Sequence, residues 1–300
     1  MTISATQGFG FDGGHFEDHG LSENGNIIHV PVHRHEISMD ISDLQFAGRY
    51  AFGETWFGEW QVPVKIRDQS TEIVALTDAN GNEPSTEEFE AMLRNGDVHH
   101  RSETYSGLGD FRLMVGRQSR SLLNEHDLLL WSAGLTVPLG STEDDPWVRG
   151  AAGLRHNHIQ LGNGTFDPTI NLQYLRPISE SWSAIATTSG RFPLYENEKT
   201  FRGPLEGSLS GRALYRPHEA WTFDAGYQLA VQGYAHWDGN RDDNTGLLAH
   251  TFELGAASQL GATRLRLGAL IPMATQLFLD DSDGFEPGPS VSFSVTRTGG

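Results

Sequence analysis

Histidine is the residue type whose positions in this sequence point most directly to chemistry. The chain has 13 His and no Cys, so a transition-metal site would use imidazole and carboxylate ligands rather than thiolates. His33/His35 and His156/His158 are each two residues apart, which places both rings on one face of an extended segment. We select as the candidate metal site the residues His99, His100, His156 and His158.

Two alternatives compete with this metal site. Polar loops carry polar residues, and histidine is one choice among many. Asp78-Ala-Asn80-Gly-Asn82 and Asp238-Gly-Asn240-Arg-Asp242 have the alternating oxygen ligands of a calcium loop, but both lack its glycine at the sixth position and its acid at the twelfth. The only candidate cofactor is therefore a divalent metal at the outer rim, and we expect no organic cofactor.

Covalent catalysis has little support in the sequence. A lipid-cleaving barrel hydrolase needs a histidine beside a serine, whereas His250 and Ser258 lie eight residues apart in one predicted strand. The Gly8–Gly13 segment matches a dinucleotide-binding pattern, but neither a preceding strand nor a following helix is predicted. We expect a protein that is not an enzyme, with the hydrolase as the remaining enzymatic alternative.

Alternation of polar and apolar residues dominates the rest of the chain. Segment 221–237 has aromatic and aliphatic residues at odd positions and mainly polar ones at even positions. This pattern suits a sandwich whose polar face is in water, or a membrane barrel with a wet lumen. The charged residues of the polar faces are the candidate lumen and solute path: Glu59, Lys65, Asp110, Arg112, Glu206, Arg212, Asp224, Glu253, Arg264 and Arg266. Their mixed signs predict no strong ion selectivity, and a lumen plugged by salt bridges is the alternative to a conducting one.

A repeated hairpin favours the barrel. Three times, a strand ends at Tyr, a short turn carries Glu, and Trp opens the next strand. Tyr and Trp prefer a membrane–water interface, where the ring contacts acyl chains and the polar tip contacts water. These pairs predict a membrane-interface girdle: Tyr50, Trp56, Tyr174, Trp182, Tyr215 and Trp221. The alternative is that aromatic residues flank turns in any β protein.

Short turns on one side and long loops on the other complete the prediction. Segments 67–107 and 139–167 are the long outer loops, and a short helix is expected near 85–95, capped by Ser85 or Thr86. Eleven strands can be counted, the first over 36–52 with a bulge near Ser42-Asp43. Because bacterial barrels have even strand numbers, 1–30 should be an N-terminal arm or contain a twelfth strand near 2–12. We therefore predict one all-β domain over 1–300, a transmembrane antiparallel up-and-down β-barrel of about 12 strands.

Net charge excludes one class of partner and leaves others open. A formal charge of −18 argues against nucleic-acid binding, which needs a basic surface. The expected partners are outer-membrane lipid and a small-molecule solute, with the oligomeric state open. The first residues lack the features of a signal peptide, so for an outer-membrane protein we expect that the signal has been removed.

With these hairpins in place, the chain resembles the meta-pathway phenol-degradation-like transporter family of bacterial outer-membrane proteins. The resemblance covers most of the chain and rests on four short motifs: Trp60-Gln-Val-Pro-Val64, Gly107-Leu-Gly-Asp-Phe111, Gly134-Leu-Thr-Val-Pro-Leu-Gly140 and Gln160-Leu-Gly-Asn-Gly-Thr-Phe-Asp167. It implies a twelve-stranded barrel that passively transports a small, hydrophobic or aromatic molecule. The alternatives are a water-soluble, secreted all-β binding module, and a barrel whose plugged lumen has a structural or metal-binding role.

Overall fold

A computed structural model describes residues 1–76, 83–279 and 284–299. Within them, antiparallel strands form nearly all of the regular structure. The strands are β1 (Thr2–Leu21), β2 (Ile27–Phe52), β3 (Trp56–Ala75), β4 (Glu103–Leu108), β5 (Phe111–Arg120), β6 (Leu128–Val137), β7 (Pro168–Pro177), β8 (Trp182–Arg191), β9 (Phe201–Arg202), β10 (Glu206–His218), β11 (Trp221–Gln232), β12 (Ala235–Trp237), β13 (Asn240–Asp242), β14 (Leu247–Leu260), β15 (Thr263–Leu277) and β16 (Ser290–Arg297). The helices are α1 (Thr86–His99) and α2 (Pro146–Ala151).

The main sheet closes on itself. Each strand pairs with its neighbour along the chain, and β1 pairs both with β2 and with the final strand, β16. Strands β4 and β5 pair with successive parts of β3 and together occupy one position in the wall. The result is the predicted closed barrel of twelve positions. A single closed sheet also differs from the two stacked sheets of the sandwich alternative.

The outer surface of the wall is apolar. Along β11, for instance, the odd residues from Trp221 to Tyr227 are exposed while Asp224 is buried. Paired strands repeat this arrangement, since Ala225 lies opposite Leu254 and Leu254 opposite Ala269. Exposed aromatic and aliphatic side chains therefore continue around the barrel: Trp60, Leu113, Trp131, Ile170, Leu172, Leu209, Phe223, Leu254, Leu267 and Phe293.

Short elements cover the long-loop end of the barrel. Strands β9, β12 and β13 form a small separate sheet whose buried residues are Phe201, Ala235 and Trp237. Helix α1 packs Ala91 and Met92 against Val30 of β2. Among the described residues, no helix is both long enough and apolar enough to cross a membrane, a finding that does not bear on β-barrels.

Helix α1 begins where the sequence predicts and ends later. Ser85 is the N-cap, and it forms a capping box in which the Glu88 amide donates to Ser85 Oγ and the Ser85 amide donates to Glu88 Oε2. The expected end near residue 95 is wrong, because the helix continues to His99. Gly96 is buried against Ile73, whose terminal methyl would have to move for a larger residue, so it serves packing rather than termination.

The long β1–β2–β3 segment corrects several predicted boundaries. Strand β1 runs to Leu21 instead of ending near residue 12, and β3 and β4 leave only 76–102 of the expected 67–107 loop. The calcium-like segment 78–82 lies outside the described residues. The second such motif contains a tight β12–β13 turn in which Asp238 and Gly239 both have positive φ.

The expected bulge near Ser42-Asp43 is wrong. Strand β2 pairs with β3 without a break, and the register shifts of the β1–β2 pair lie between Gly8 and Phe11 and between Glu17 and His19. The change of phase in the sequence has another cause. Near the short turns the exposed outer face of β2 is apolar, whereas farther up its inner face is apolar, with Ile37 and Met39 buried. The alternation of inward and outward side chains along β2 is therefore unbroken, and only the face that carries the apolar residues changes.

Candidate functional site

A series of cavities runs through the inside of the barrel. The mouth cavity, of about 790 Å³ at the long-loop end, shares Gln232 and Leu247 with a central cavity of about 530 Å³. The central cavity in turn shares Gln61 and Arg112 with a base cavity of about 780 Å³ at the short-turn end. Neighbouring cavities share lining residues, so they succeed one another along the inside of the barrel from the loops to the turns.

Half of the predicted lumen residues line these cavities. They are Glu59, Lys65, Asp110, Arg112 and Glu206. Most of these charges have partners: Glu206 accepts from Arg191 Nη2 at 2.6 Å, Arg49 Nε donates to Glu59 at 2.9 Å, and Arg112 contacts Gln61. The central cavity thus combines fixed charges of both signs.

Four further lumen candidates form an ion-pair network on the β10–β11–β14–β15 wall. Buried Asp224 accepts from Arg266 Nη2 at 2.7 Å and lies 3.4 Å from Arg212 Nη1, and Arg212 Nε is 3.5 Å from Glu253. The remaining candidate, Arg264, lines a separate cavity of about 390 Å³ beside the short turns. The predicted set therefore divides into a path-lining group, a wall network and one residue at the base.

Loop 138–167 folds against the inner wall, and Asp110 anchors it. Asp110 Oδ1 accepts from the Gly140 amide at 3.0 Å, and its Oδ2 accepts from the Asn163 amide at 2.7 Å. Lys65 Nζ donates to the Leu161 carbonyl at 2.7 Å. Three of the four motifs that carry the family resemblance meet at this anchor.

Glycine is required where these motifs meet. A Cβ at Gly162 would lie 2.5 Å from Asp110 Oδ1 and 2.7 Å from the Gly140 Cα, so the two loop strands could not approach each other. Beyond the anchor, Thr165 and Asp167 are fully buried, and Asp167 accepts from Asn163 Nδ2 at 2.7 Å. The loop is therefore held by a buried polar cluster at the wall of the central cavity.

The six predicted girdle residues lie at the short-turn ends of their strands. Trp182 and Tyr215 are paired in register, with ring centroids 4.8 Å apart. The Tyr174 hydroxyl donates to Asp127 Oδ2 at 2.9 Å. Tyr50, Trp56, Trp182, Tyr215 and Trp221 are all exposed. Their contact with lipid headgroups remains a prediction.

The four predicted metal ligands come together beside the mouth cavity, in two groups rather than one. His99, His156 and His158 form a triad whose ligand nitrogens all lie within 4.8 Å of one another. His100 belongs to a second triad of the same dimension, with His15 and His35. The groups adjoin, since the His99 and His100 ring centroids are 4.0 Å apart.

Local structure explains how distant segments meet in this cluster. His99 and His100 stand at the end of α1, which Arg94 ties to β1 through a 2.8 Å hydrogen bond from its Nε to the Leu21 carbonyl. The His156 amide donates to the Val98 carbonyl at 3.2 Å, and Arg101 Nη1 donates to the His156 carbonyl at 2.8 Å. These bonds place 154–158 beside the end of α1.

Burial keeps His35, His99, His100 and His158 neutral at pH 7. Burial, with the neighbouring histidines, lowers the pKa of His99 to about 2 and that of His158 to about 3. The same causes lower the pKa of His35 to about 4, with Glu17 partly opposing them, and lower that of His100 well below its usual value. A neutral ring has a nitrogen lone pair available for a metal.

Sequence reasoning missed two members of the cluster as ligands. His15 lies beyond the predicted end of the first strand, and His35 was grouped only with His33. The register of the long hairpin puts His15 directly opposite His35 and Glu17 opposite His33. The detectable signal was the mirrored spacing of His15/Glu17 and His33/His35, hidden by the four glycines between residues 8 and 14.

Comparisons with known proteins place the fold. No protein-family model and no curated protein matches the chain. An outer membrane channel from Pseudomonas putida F1 superposes with a TM-score of 0.58 at 15% identity, over 99% of this chain and 94% of that one. The transport unit of the autotransporter AIDA-I from Escherichia coli gives 0.48 at 6% identity, over 100% and 91%. The toluene transporter TodX from P. putida gives 0.42 at 7%, over 98% and 88%.

The first of these likenesses shows that this chain has the fold of an outer-membrane β-barrel. At 15% identity, this likeness supports the fold and nothing beyond it. The family named from the sequence motifs stays a prediction.

Proposed function

We propose that this chain is an outer-membrane channel through which small molecules with apolar or aromatic parts pass passively. The observation that carries the proposal is the series of adjoining cavities inside a closed barrel whose outer surface is apolar. A soluble binding module would not leave so much apolar surface exposed, because large exposed apolar patches mark contact with protein or membrane.

The apolar outer surface has the height that a bilayer needs. A transmembrane β-strand has about 9–11 residues, and strands β5 to β8 run from Phe111–Arg120 to Trp182–Arg191 with this length. The aromatic residues at the short-turn ends would then mark the inner interface. The longer β1–β2–β3 segment, α1 and the loop 138–167 would stand outside the membrane.

The mouth cavity and the central cavity differ in chemistry, and together they indicate the kind of solute that could pass. Phe11, Ile37, Trp147, Leu277 and Phe285 line the mouth cavity, so it favours apolar or aromatic groups. Farther in, Arg112, Arg191 and Glu206 line the central cavity beside Leu161 of the inward loop. This narrower, charged section favours small molecules and uses no covalent chemistry.

Solute flux into proteoliposomes tests the proposal. The purified full chain is reconstituted, and swelling or uptake is measured for a small uncharged aromatic solute, a sugar of similar size and an oligosaccharide too large for the central cavity. We expect the aromatic solute to enter fastest and the oligosaccharide to be excluded. Equal, protein-independent rates for all three would contradict a channel role and favour the plugged lumen.

A further inference from the structure

The two histidine triads bring nitrogen ligands from four chain segments into one buried to half-buried cluster. His15 comes from β1, His35 from β2, His99 and His100 from the end of α1, and His156 and His158 from loop 138–167. Three imidazoles with an open fourth position are a common ligand set for zinc. We propose that the two triads bind two divalent transition-metal ions of the zinc, nickel or copper class.

Hydrogen bonds orient the imidazole of His35 for a metal. His33 Nδ1 lies 3.1 Å from the Pro31 carbonyl, which can only accept, so this nitrogen carries the proton. In a neutral His33, Nε2 then accepts from His35 Nε2 at 3.0 Å. The neutral His35 ring therefore has its lone pair on Nδ1, which is buried and has no hydrogen-bond partner among the described residues.

The same reasoning applies to His156. Its Nδ1 donates to the Leu154 carbonyl at 2.8 Å, which leaves the Nε2 lone pair available. Metal-bound histidines usually donate their second ring nitrogen to a carbonyl or carboxylate in this way. The buried Nε2 atoms of His100 and His158 also have no hydrogen-bond partner within the described part of the chain. Buried polar atoms without partners are costly, and a metal ion would satisfy them.

A path for the ions and a favourable field are both present. His15, His99, His100 and His158 line the mouth cavity, so an ion can reach the triads from the loop side. Glu17, opposite His33, lies 3.7 Å from His15 Nε2 and supplies negative charge beside the second triad. The formal charge of −18 on the chain also favours the approach of cations.

Bound ions would fasten the mouth together. The His99 triad joins α1 to loop 138–167, and the His15 triad joins α1 to the β1–β2 hairpin. A third candidate group, Asp18, His19 and His29, is half-buried to exposed and lies on the hairpin itself. It joins no separate elements, so we assign it no ion.

Metal stoichiometry in the detergent-purified full chain tests the proposal independently of conduction. Equilibrium dialysis against Zn²⁺, followed by metal analysis, is compared for four proteins. They are wild type, His99/His156/His158→Ala, His15/His35/His100→Ala, and the control His126/His218→Ala at the short-turn end. Single variants His158→Ala and His35→Ala serve if a triple variant fails to fold, and Cu²⁺ electron paramagnetic resonance reports nitrogen ligands directly.

We expect two tightly bound Zn²⁺ per chain in wild type and in the control, and one in each triple variant. Each single variant should weaken binding at its own triad by tenfold or more. Calcium, which prefers oxygen ligands, should not compete. The proposal is overturned if wild type binds no Zn²⁺ below micromolar concentration, if the triple variants bind as much as the control, or if wild type binds a single ion that either triple variant loses.

Discussion

An arginine placed at different depths on one strand measures which part of the barrel meets lipid. Leu254 and Leu260 lie on the outer face of β14, with 42% and 59% of their surface exposed. Leu254 pairs with Ala225 in the middle of the wall, whereas Leu260 closes the strand at a short turn. Six residues of strand separate them by about 20 Å.

The expected penalties follow from depth. An arginine on the lipid face costs about 2–4 kcal/mol at the bilayer midplane and about 0–1 kcal/mol near the interface. Leu254→Arg should therefore reduce the folding equilibrium constant roughly 30- to 700-fold, and Leu260→Arg should have little effect. Gln228→Arg is the inward control, because Gln228 pairs with Ser210 and Thr251 on the polar face.

Reversible denaturant unfolding in vesicles, followed by tryptophan fluorescence, gives the three free energies. A loss of stability much larger for Leu254→Arg than for Leu260→Arg and Gln228→Arg supports a bilayer around the apolar outer surface. Equal losses of stability for Leu254→Arg and Leu260→Arg would refute it, since in water the penalty for an arginine on the outer face would not depend on its position along the strand. A loss at Gln228 as large as that at Leu254 would refute the assignment of the two faces.

Three further predictions concern the inside of the barrel. Asp110→Ala removes the acceptors for the Gly140 and Asn163 amides, so loop 138–167 should loosen. The single-channel conductance should then rise and become noisier. The control Glu36→Ala, at an exposed side chain, should leave the conductance trace unchanged. Gly162→Ala should cost about 1–3 kcal/mol of unfolding free energy by overpacking, but Gly211→Ala, with no atom within 4 Å of the new Cβ, should be neutral; equal effects would contradict the close approach at the anchor. Asp224→Asn leaves Arg212 and Arg266 without their shared carboxylate and should cost about 1–3 kcal/mol, discounted because both arginines are partly exposed; no loss would show that the network is not stabilising.

Local patterns were enough to predict the barrel but not its extension. Alternation of period two and the Tyr–turn–Trp hairpins predicted the strand order and eleven strands, because neighbouring strands of the wall pair in chain order. The twelfth strand followed from the even strand numbers of bacterial barrels. The upper part of β1 was missed, since Gly8, Gly10, Gly13 and Gly14 have no side chain to show which face they occupy. The bulge in β2 was wrongly predicted because the apolar face of this strand is the outer one near the short turns and the inner one farther up.

The candidate site shows a similar limit. Segments 99–100 and 156–158 could be grouped because both fall in long loops on the same side. Their division into two triads depends on where α1 ends and on the hydrogen bonds that hold 154–158 beside it. Those are tertiary contacts that a single sequence does not encode at fixed spacing. The charged lumen positions were predictable by face, but their partners depend on strand register.

The central claim is that solutes pass through the inside of the barrel. The most direct test is the conductance of a variant in which a tryptophan is placed in the central cavity. Ser208 lines the central cavity, and its neighbour Leu209 points outward with 56% of its surface exposed. In planar bilayers, Ser208→Trp should lower the single-channel conductance several-fold, because the indole enters a cavity of about 530 Å³, while Leu209→Trp should conduct like wild type. A wild-type chain that folds and inserts but does not conduct, or equal conductance in all three proteins, would contradict a route through the barrel.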